Sequence, residues 1–218
     1  MVTVSAREQI LGRIRSRQGR VATDLAAGRE AVAAHLAEHP AGPRPTVGGD
    51  LLARFCDRAR FLSASVDMVQ SIDAVPAAVA AYLNSQQLAP RAVCTPAVSS
   101  WSWAASGLLV EARAAIGDDL VGITGAFCAI AETGTLMLLS GRDTPASVSL
   151  LPETHIAVLP VNRVVSGMED AWALLRGEQA TMPRAVNFVS GPSRTADIEQ
   201  TVTLGAHGPY RVHVILTP

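Results

Sequence analysis

The sequence predicts an α/β domain built on a mostly parallel sheet, and three observations carry that prediction. From Asp50 onward, short apolar runs bounded by Gly, Pro and Ser alternate with longer helix-forming stretches. This strand–helix–strand order is that of a parallel sheet covered on both faces. The chain has 218 residues, of which 49% are hydrophobic and 17% charged, enough to bury a substantial core. Ahead of this pattern, Pro40, Gly42, Pro43 and Pro45 break the chain and set off an Ala-rich segment. Residues 1–45 therefore read as an N-terminal helical arm and linker, and residues 46–218 as the α/β domain.

Within the arm, Ser5 followed by Glu8 is a capping-box pattern, and Ile10, Leu11 and Ile14 give an apolar stripe at helical spacing. A second helix is predicted over 24–38. In the domain, helices are predicted over 51–64, 74–84, 96–105 and 168–175, with a short one from Ala196 onward. Strands are predicted over 66–70, 91–95, 120–124, 135–140, 155–160, 185–190 and 210–216. The gap between 120–124 and 135–140 is too short for an ordinary crossover helix, so an antiparallel pair, and a mixed sheet, is open there. Together these elements describe a largely parallel sheet covered on both faces.

Composition excludes several functions. Net charge is −1 and aromatics are 4% of residues, which argues against a nucleic-acid surface. All 18 basic residues are Arg. Without Lys there is no Schiff-base lysine and no P-loop lysine. Cys56, Cys94 and Cys128 are scattered and form no Cys-x-x-Cys pair, so the chain alone does not supply the four thiolates of an ordinary iron–sulfur cluster. Sparse cysteines, an N-terminus without an apolar signal core and the lack of any run long enough to span a bilayer point to the cytoplasm. His35 and His39 have i, i+4 spacing, but Pro40 follows at once and a solvated helix end is the favoured reading; no metal site is expected. Trp101 and Trp103 form an aromatic cluster suited to packing or to a pocket wall.

Two segments carry candidate chemistry. The first is Ala131-Glu132-Thr133-Gly134-Thr135, a carboxylate and two hydroxyls between apolar runs. Ionised carboxylates are rarely buried without a partner. Glu132 is therefore either satisfied by backbone amides at an element junction or turned toward a ligand. The second is Ser190-Gly191-Pro192-Ser193-Arg194-Thr195-Ala196-Asp197-Ile198-Glu199, followed by His207-Gly208-Pro209. Ser193 or Thr195 reads as an N-cap. The amides of a helix starting there, together with Arg194, would hold an anion, and plain capping is the competing reading. Both segments follow predicted strands, which places them at the carboxyl edge of the sheet, where open α/β folds bind ligands. No Gly-x-Gly-x-x-Gly fingerprint is present; Gly122 and Gly125 only echo it. No Gly-x-Ser-x-Gly elbow is present either.

Gly122-Ile123-Thr124, Ile130-Ala131-Glu132-Thr133-Gly134-Thr135, Ser149-Leu150-Leu151-Pro152, Ser190 to Glu199 and His207-Gly208-Pro209 together resemble the lactate-utilisation (LUD) domain family, in the family's order over residues 50–218. The resemblance implies a fold like that of sugar-phosphate isomerases and coenzyme A transferases, a three-layer α/β/α sandwich. It also implies a part in oxidising L-lactate to pyruvate beside iron–sulfur partner proteins, with no cofactor in this chain. On that reading Glu132 or His207 is the acid–base group, and Thr133, Gly134, Thr135, Gly191, Ser193, Arg194 and Thr195 bind a small carboxylate or other anion. A stand-alone transferase or isomerase acting on an acyl or sugar-phosphate ligand, and a non-catalytic scaffold, are the alternatives.

Overall fold

The computed structural model describes residues 5–19, 25–38, 40, 42–198 and 200–218. The chain divides into two compact units, Met1–Arg44 and Pro45–Pro218. The first contains α1 (Ala6–Arg17) and α2 (Leu25–Glu38). The capping box forms as the sequence predicts: Ser5 Oγ accepts from the Glu8 N–H, and the Ser5 N–H donates to the Glu8 carboxylate at 2.8 Å. His39, one half of the considered histidine pair, lies outside the described residues.

The second unit carries α3 (Leu51–Phe61), β1 (Ser65–Met68), α4 (Val75–Ser85), β2 (Arg91–Cys94), β3 (Leu109–Ala112), β4 (Val121–Gly125), β5 (Cys128–Ile130), β6 (Thr135–Leu139), α5 (Ser147–Leu150), β7 (Thr154–Pro160), β8 (Val164–Val165), α6 (Met168–Glu178), β9 (Val186–Val189), β10 (Arg194–Ile198), β11 (Thr201–Leu204) and β12 (Arg211–Thr217). Six strands form the central sheet in the order β1-β12-β7-β4-β2-β3, with every described pairing parallel. Its two faces are read off the alternation along β7. Ile156 and Val158 join Val75, Val79 and Leu83 of α4 on one side; Ala157 and Leu159 join Phe55, Cys56 and Ala59 of α3 on the other.

The sandwich carries an added layer. β8, β5, β6 and β9 form a second sheet beside α3, in which β6 pairs antiparallel with both its neighbours. Ala129, Ala131, Leu136 and Leu138 face the central sheet, while Cys128, Ile130 and Met137 face Ala171 and Leu175 of α6. Both faces of this sheet are therefore apolar, and period-two patterning alone cannot distinguish its strands from those of the central sheet. The short gap before β6 holds β5, so the antiparallel pairing anticipated there is with β5 and lies in the second sheet.

Two local predictions are corrected. Residues 96–105 form only two short 3-10 turns, Pro96–Val98 and Trp103–Ser106, broken at Gly107 in the left-handed region. Trp103 is buried there and its indole N–H donates to the Val98 carbonyl at 3.1 Å. Residues from Ala196 onward are not helical: β10 and β11 pair as an antiparallel hairpin. The β-branched Thr195, Ile198, Thr201, Val202 and Thr203 favour that ladder over a helix. Among the described residues, no helix is long and apolar enough to cross a membrane.

Candidate functional site

The two motifs meet on α3. Gly134, at φ +68°, turns the chain between β5 and β6 against the last turn of the helix, so that a Cβ there would sit 2.6 Å from the Ala59 nitrogen. Gly191, at φ +75°, does the same a turn further on, against the Leu62 carbonyl. Both glycines combine a positive φ with close backbone approach, which only Gly tolerates. Hydroxyls join the two turns. Thr133 Oγ1 lies 2.7 Å from Thr135 Oγ1, which lies 2.7 Å from Ser190 Oγ.

Guanidinium groups flank the same helix end. Arg58 Nε donates to the Glu132 carbonyl at 3.3 Å. An Arg194 nitrogen donates to the Leu62 carbonyl at 3.1 Å and to Ser63 Oγ at 2.6 Å. The Glu132 N–H donates to the Ser166 carbonyl at 3.0 Å. Its half-buried carboxylate lies over Gly167 at the start of α6, where Glu169 and Asp170 also approach. Ser193 donates its N–H to the Pro209 carbonyl at 2.8 Å and accepts at its own carbonyl from the Gly205 N–H at 2.9 Å. That bond draws the His207-Gly208-Pro209 loop to the second motif, with His207 exposed on it.

The predicted site residues are thus gathered, but not where the sequence reading put them. α3 leads through Leu62 and Ser63 into β1, so its C-terminal end lies at the amino end of that strand. Pro209 leads into β12, and the Tyr210 N–H donates to the carbonyl of Glu153, which leads into β7. The second motif therefore lies at the amino edge of the central sheet, not the carboxyl edge. The physical reason is that β9 belongs to the antiparallel sheet, whose strands carry the chain back along the domain. With β10 extended, the helix N-terminus proposed for Ser193 and Thr195 does not exist, and the capping reading falls with the anion-binding amides. Arg194 is the cation left at that position.

The carboxyl edge holds a different feature. A cavity of about 370 Å³ lies where the ends of β2 and β4 face the second sheet. Its polar lining is Thr95, Thr124, Ser140, Thr144, Ser149, Gln179 and Asn187, and none of its lining residues is charged. Thr124 Oγ1 lies 2.8 Å from Nε2 of His155, and His155 is fully buried. Burial pushes the His155 imidazole down to about 4, so it is neutral. Gly122 is explained here: a Cβ would run into the Val148 carbonyl of α5, which closes on β4 above His155's partner position. Sequence reading missed this site because its residues are single Thr, Ser, Asn and Gln side chains from separated segments. The available signal was Thr124 at the end of an otherwise apolar strand.

These features are those of a known domain class, and the chain belongs to the LUD domain family: the family model matches residues 64–217. Curated relatives include "Lactate utilization protein C" of Bacillus subtilis, 42% identical over 99 residues, which is 44% of this chain and 41% of that protein. The protein of the same name from Shouchella clausii is 40% identical over 124 residues, 56% of this chain and 52% of that protein. The matches thus span about half or less of these relatives. Among solved structures, a DUF162 family protein from Deinococcus radiodurans superposes with a TM-score of 0.58 at 26% identity, covering 77% of this chain and 96% of that one.

Proposed function

We propose that this chain works in lactate utilisation, as the clusterless member of an L-lactate-oxidising assembly. Oxidation of lactate to pyruvate releases two electrons and two protons. Iron–sulfur partner proteins take the electrons on this reading. Cys56, Cys94 and Cys128 lie in three different core clusters, so they do not converge on one metal, which supports placing the redox centre outside this chain. The similarity to proteins named for lactate utilisation supports this reading.

The observation that carries the site assignment is the junction at Thr135 and Ser190, which brings Glu132 and Arg194 to one helix end. Arg58 and Arg194 make that end cationic, suited to a small carboxylate, with Thr133, Gly134, Thr135, Gly191, Ser193 and Thr195 shaping the turns around it. Glu132 or His207 then serves as proton acceptor at the substrate hydroxyl. The test is reconstitution: dye reduction by lactate is measured for the purified chain, for its iron–sulfur partners and for the mixture. Turnover is expected only from the mixture. Turnover by the chain alone would favour a stand-alone enzyme instead.

One observation favours a second reading. Gly134 and Gly191 press on the α3 backbone as a clamp. If the motifs serve only to hold that helix, substitutions in them lower stability while flux per folded molecule is unchanged.

A further inference from the structure

The carboxyl-edge cavity is remote from the motif cluster and has its own chemistry. Cys94 and Ile123 are partners in the β2–β4 ladder, and both side chains join the cluster under α4. By alternation the next residues, Thr95 and Thr124, point to the opposite face, and both line the cavity. The Thr95 N–H, donating to the Ile123 carbonyl at 3.0 Å, holds the two threonines side by side. Thr95 is 2% exposed, yet its hydroxyl has no hydrogen-bond partner among the described residues. A buried hydroxyl left unpaired has given up its hydration for nothing, and such a group calls for a ligand or a water.

The state of Thr124 follows from its neighbour. Neutral His155 carries one N–H, and Nδ1 has no partner among the described residues. Placing the proton on Nδ1 would bury an unused donor. Placing it on Nε2 uses it in the bond to Thr124 Oγ1 and leaves only a bare lone pair in the core, the cheaper arrangement. Thr124 then accepts from His155, and its own O–H is left to point into the cavity. The two threonines thus offer adjacent hydroxyls to whatever enters. An oxygen with two lone pairs is the complement of such a pair. The uncharged lining disfavours an ion, since a carboxylate buried without a cation loses its hydration and gains no opposite charge. Phe127, Leu138, Leu139 and Pro145 supply the apolar part of the wall.

We propose that this cavity is a binding site for an uncharged carbonyl compound, an amide, ester or ketone, whose carbonyl oxygen sits on the Thr95 and Thr124 hydroxyls. The site is separate from the carboxylate surface at α3, and either can fail without the other. The experiment is a titration of the full chain with pyruvamide, methyl acetate and acetone as neutral probes and pyruvate as the charged control, followed by amide NMR shifts. Saturable shifts at Thr95, Gly125 and Asn187 with a neutral probe, and none there with pyruvate, are expected. Thr95→Val, which removes an unpaired hydroxyl at constant shape, is expected to leave or raise the melting temperature while weakening that binding about tenfold. A Thr95→Val variant that melts lower, equal shifts with pyruvate, or no shift with any neutral probe up to its solubility limit would each overturn the proposal.

Discussion

Thr135 and Ser190 stand 55 residues apart in the chain, and their hydroxyl oxygens lie 2.7 Å apart. This contact ties the end of β9 to the start of β6 and so fixes the two motif turns relative to each other. Thr135 is 3% exposed, which shields the bond from water. A double-mutant cycle of Thr135→Val and Ser190→Ala is expected to show a coupling of about 0.5–1.5 kcal/mol. Additive losses in urea denaturation would mean that each hydroxyl is satisfied independently.

Gly134 and Gly191 are expected to be intolerant of even one added methyl group. A positive φ costs a non-Gly residue roughly 1–2 kcal/mol, and the new Cβ would meet helix backbone, which cannot rotate away. Gly134→Ala should lose at least about 2 kcal/mol, or roughly 4–8 °C in melting temperature for a domain of this size. Gly12→Ala, whose Cβ meets nothing within 4 Å, is the control, expected unchanged or slightly raised. Equal melting temperatures for the two variants would remove the clamp.

Much of the fold was legible in the sequence because its signals are local. The Ser5–Glu8 box and the apolar β7 and β12 announce themselves within a few residues. The second sheet was not legible, since Ala129 and Cys128 are apolar on both faces and nothing in their order says which sheet they join. The site was half legible. Glu132 and Thr135 stand out as polar residues between apolar runs, and Arg194 as a cation in a Gly-, Ser- and Thr-rich segment, but their edge of the sheet depends on the direction of β9, a non-local fact. Thr195 reads as a cap in the sequence, and only its pairing with Thr203 shows it to be a strand residue.

His155 and His213 make stability depend on pH. Burial pushes both down to about 4 from the usual 6.5, and His213 is in addition stacked on Tyr82 with its Nδ1 2.8 Å from Ser65 Oγ. The unfolded chain therefore binds protons at pH values where the native state does not. Stability is at its full value above pH 6.5 and falls as pH drops from there toward 4. The loss is roughly 3 kcal/mol for His155 at the bottom of this window. Urea midpoints measured from pH 7 to pH 5, above the range where ordinary carboxylates titrate, should fall steadily. A flat profile would show that neither imidazole is held neutral.

The thiols should be inert while the fold is intact. Burial pushes Cys94 and Cys128 up to about 11, and both are 1% exposed or less. The thiolate is the reactive form, so both access and ionisation are against reaction. An Ellman assay at pH 8 should register these two thiols only at the rate of unfolding, and in full after denaturation. Rapid reaction of all three in the native protein would contradict the packing of their clusters.

Arg194 separates the functional readings most directly. Its guanidinium braces Leu62 and Ser63, so Arg194→Ala costs stability whatever else the residue does. The side chain is exposed, which limits that cost to about 1 kcal/mol. A carboxylate ligand would add a charge-assisted bond worth roughly 1.5–3 kcal/mol, or about ten- to a hundred-fold in affinity. Calorimetric titration of lactate and pyruvate into the chain with its partners, well below the melting temperature of either form, should therefore show a loss of affinity far larger than the loss of stability. Arg194→Lys should recover only part of it, because an ammonium keeps the charge but not the planar two-pronged contact. A structural brace predicts the opposite pattern: a lower melting temperature for Arg194→Ala, and lactate affinity unchanged. If the wild-type assembly binds neither acid, the α3 surface is no carboxylate site, and Arg194 is there to hold the helix end.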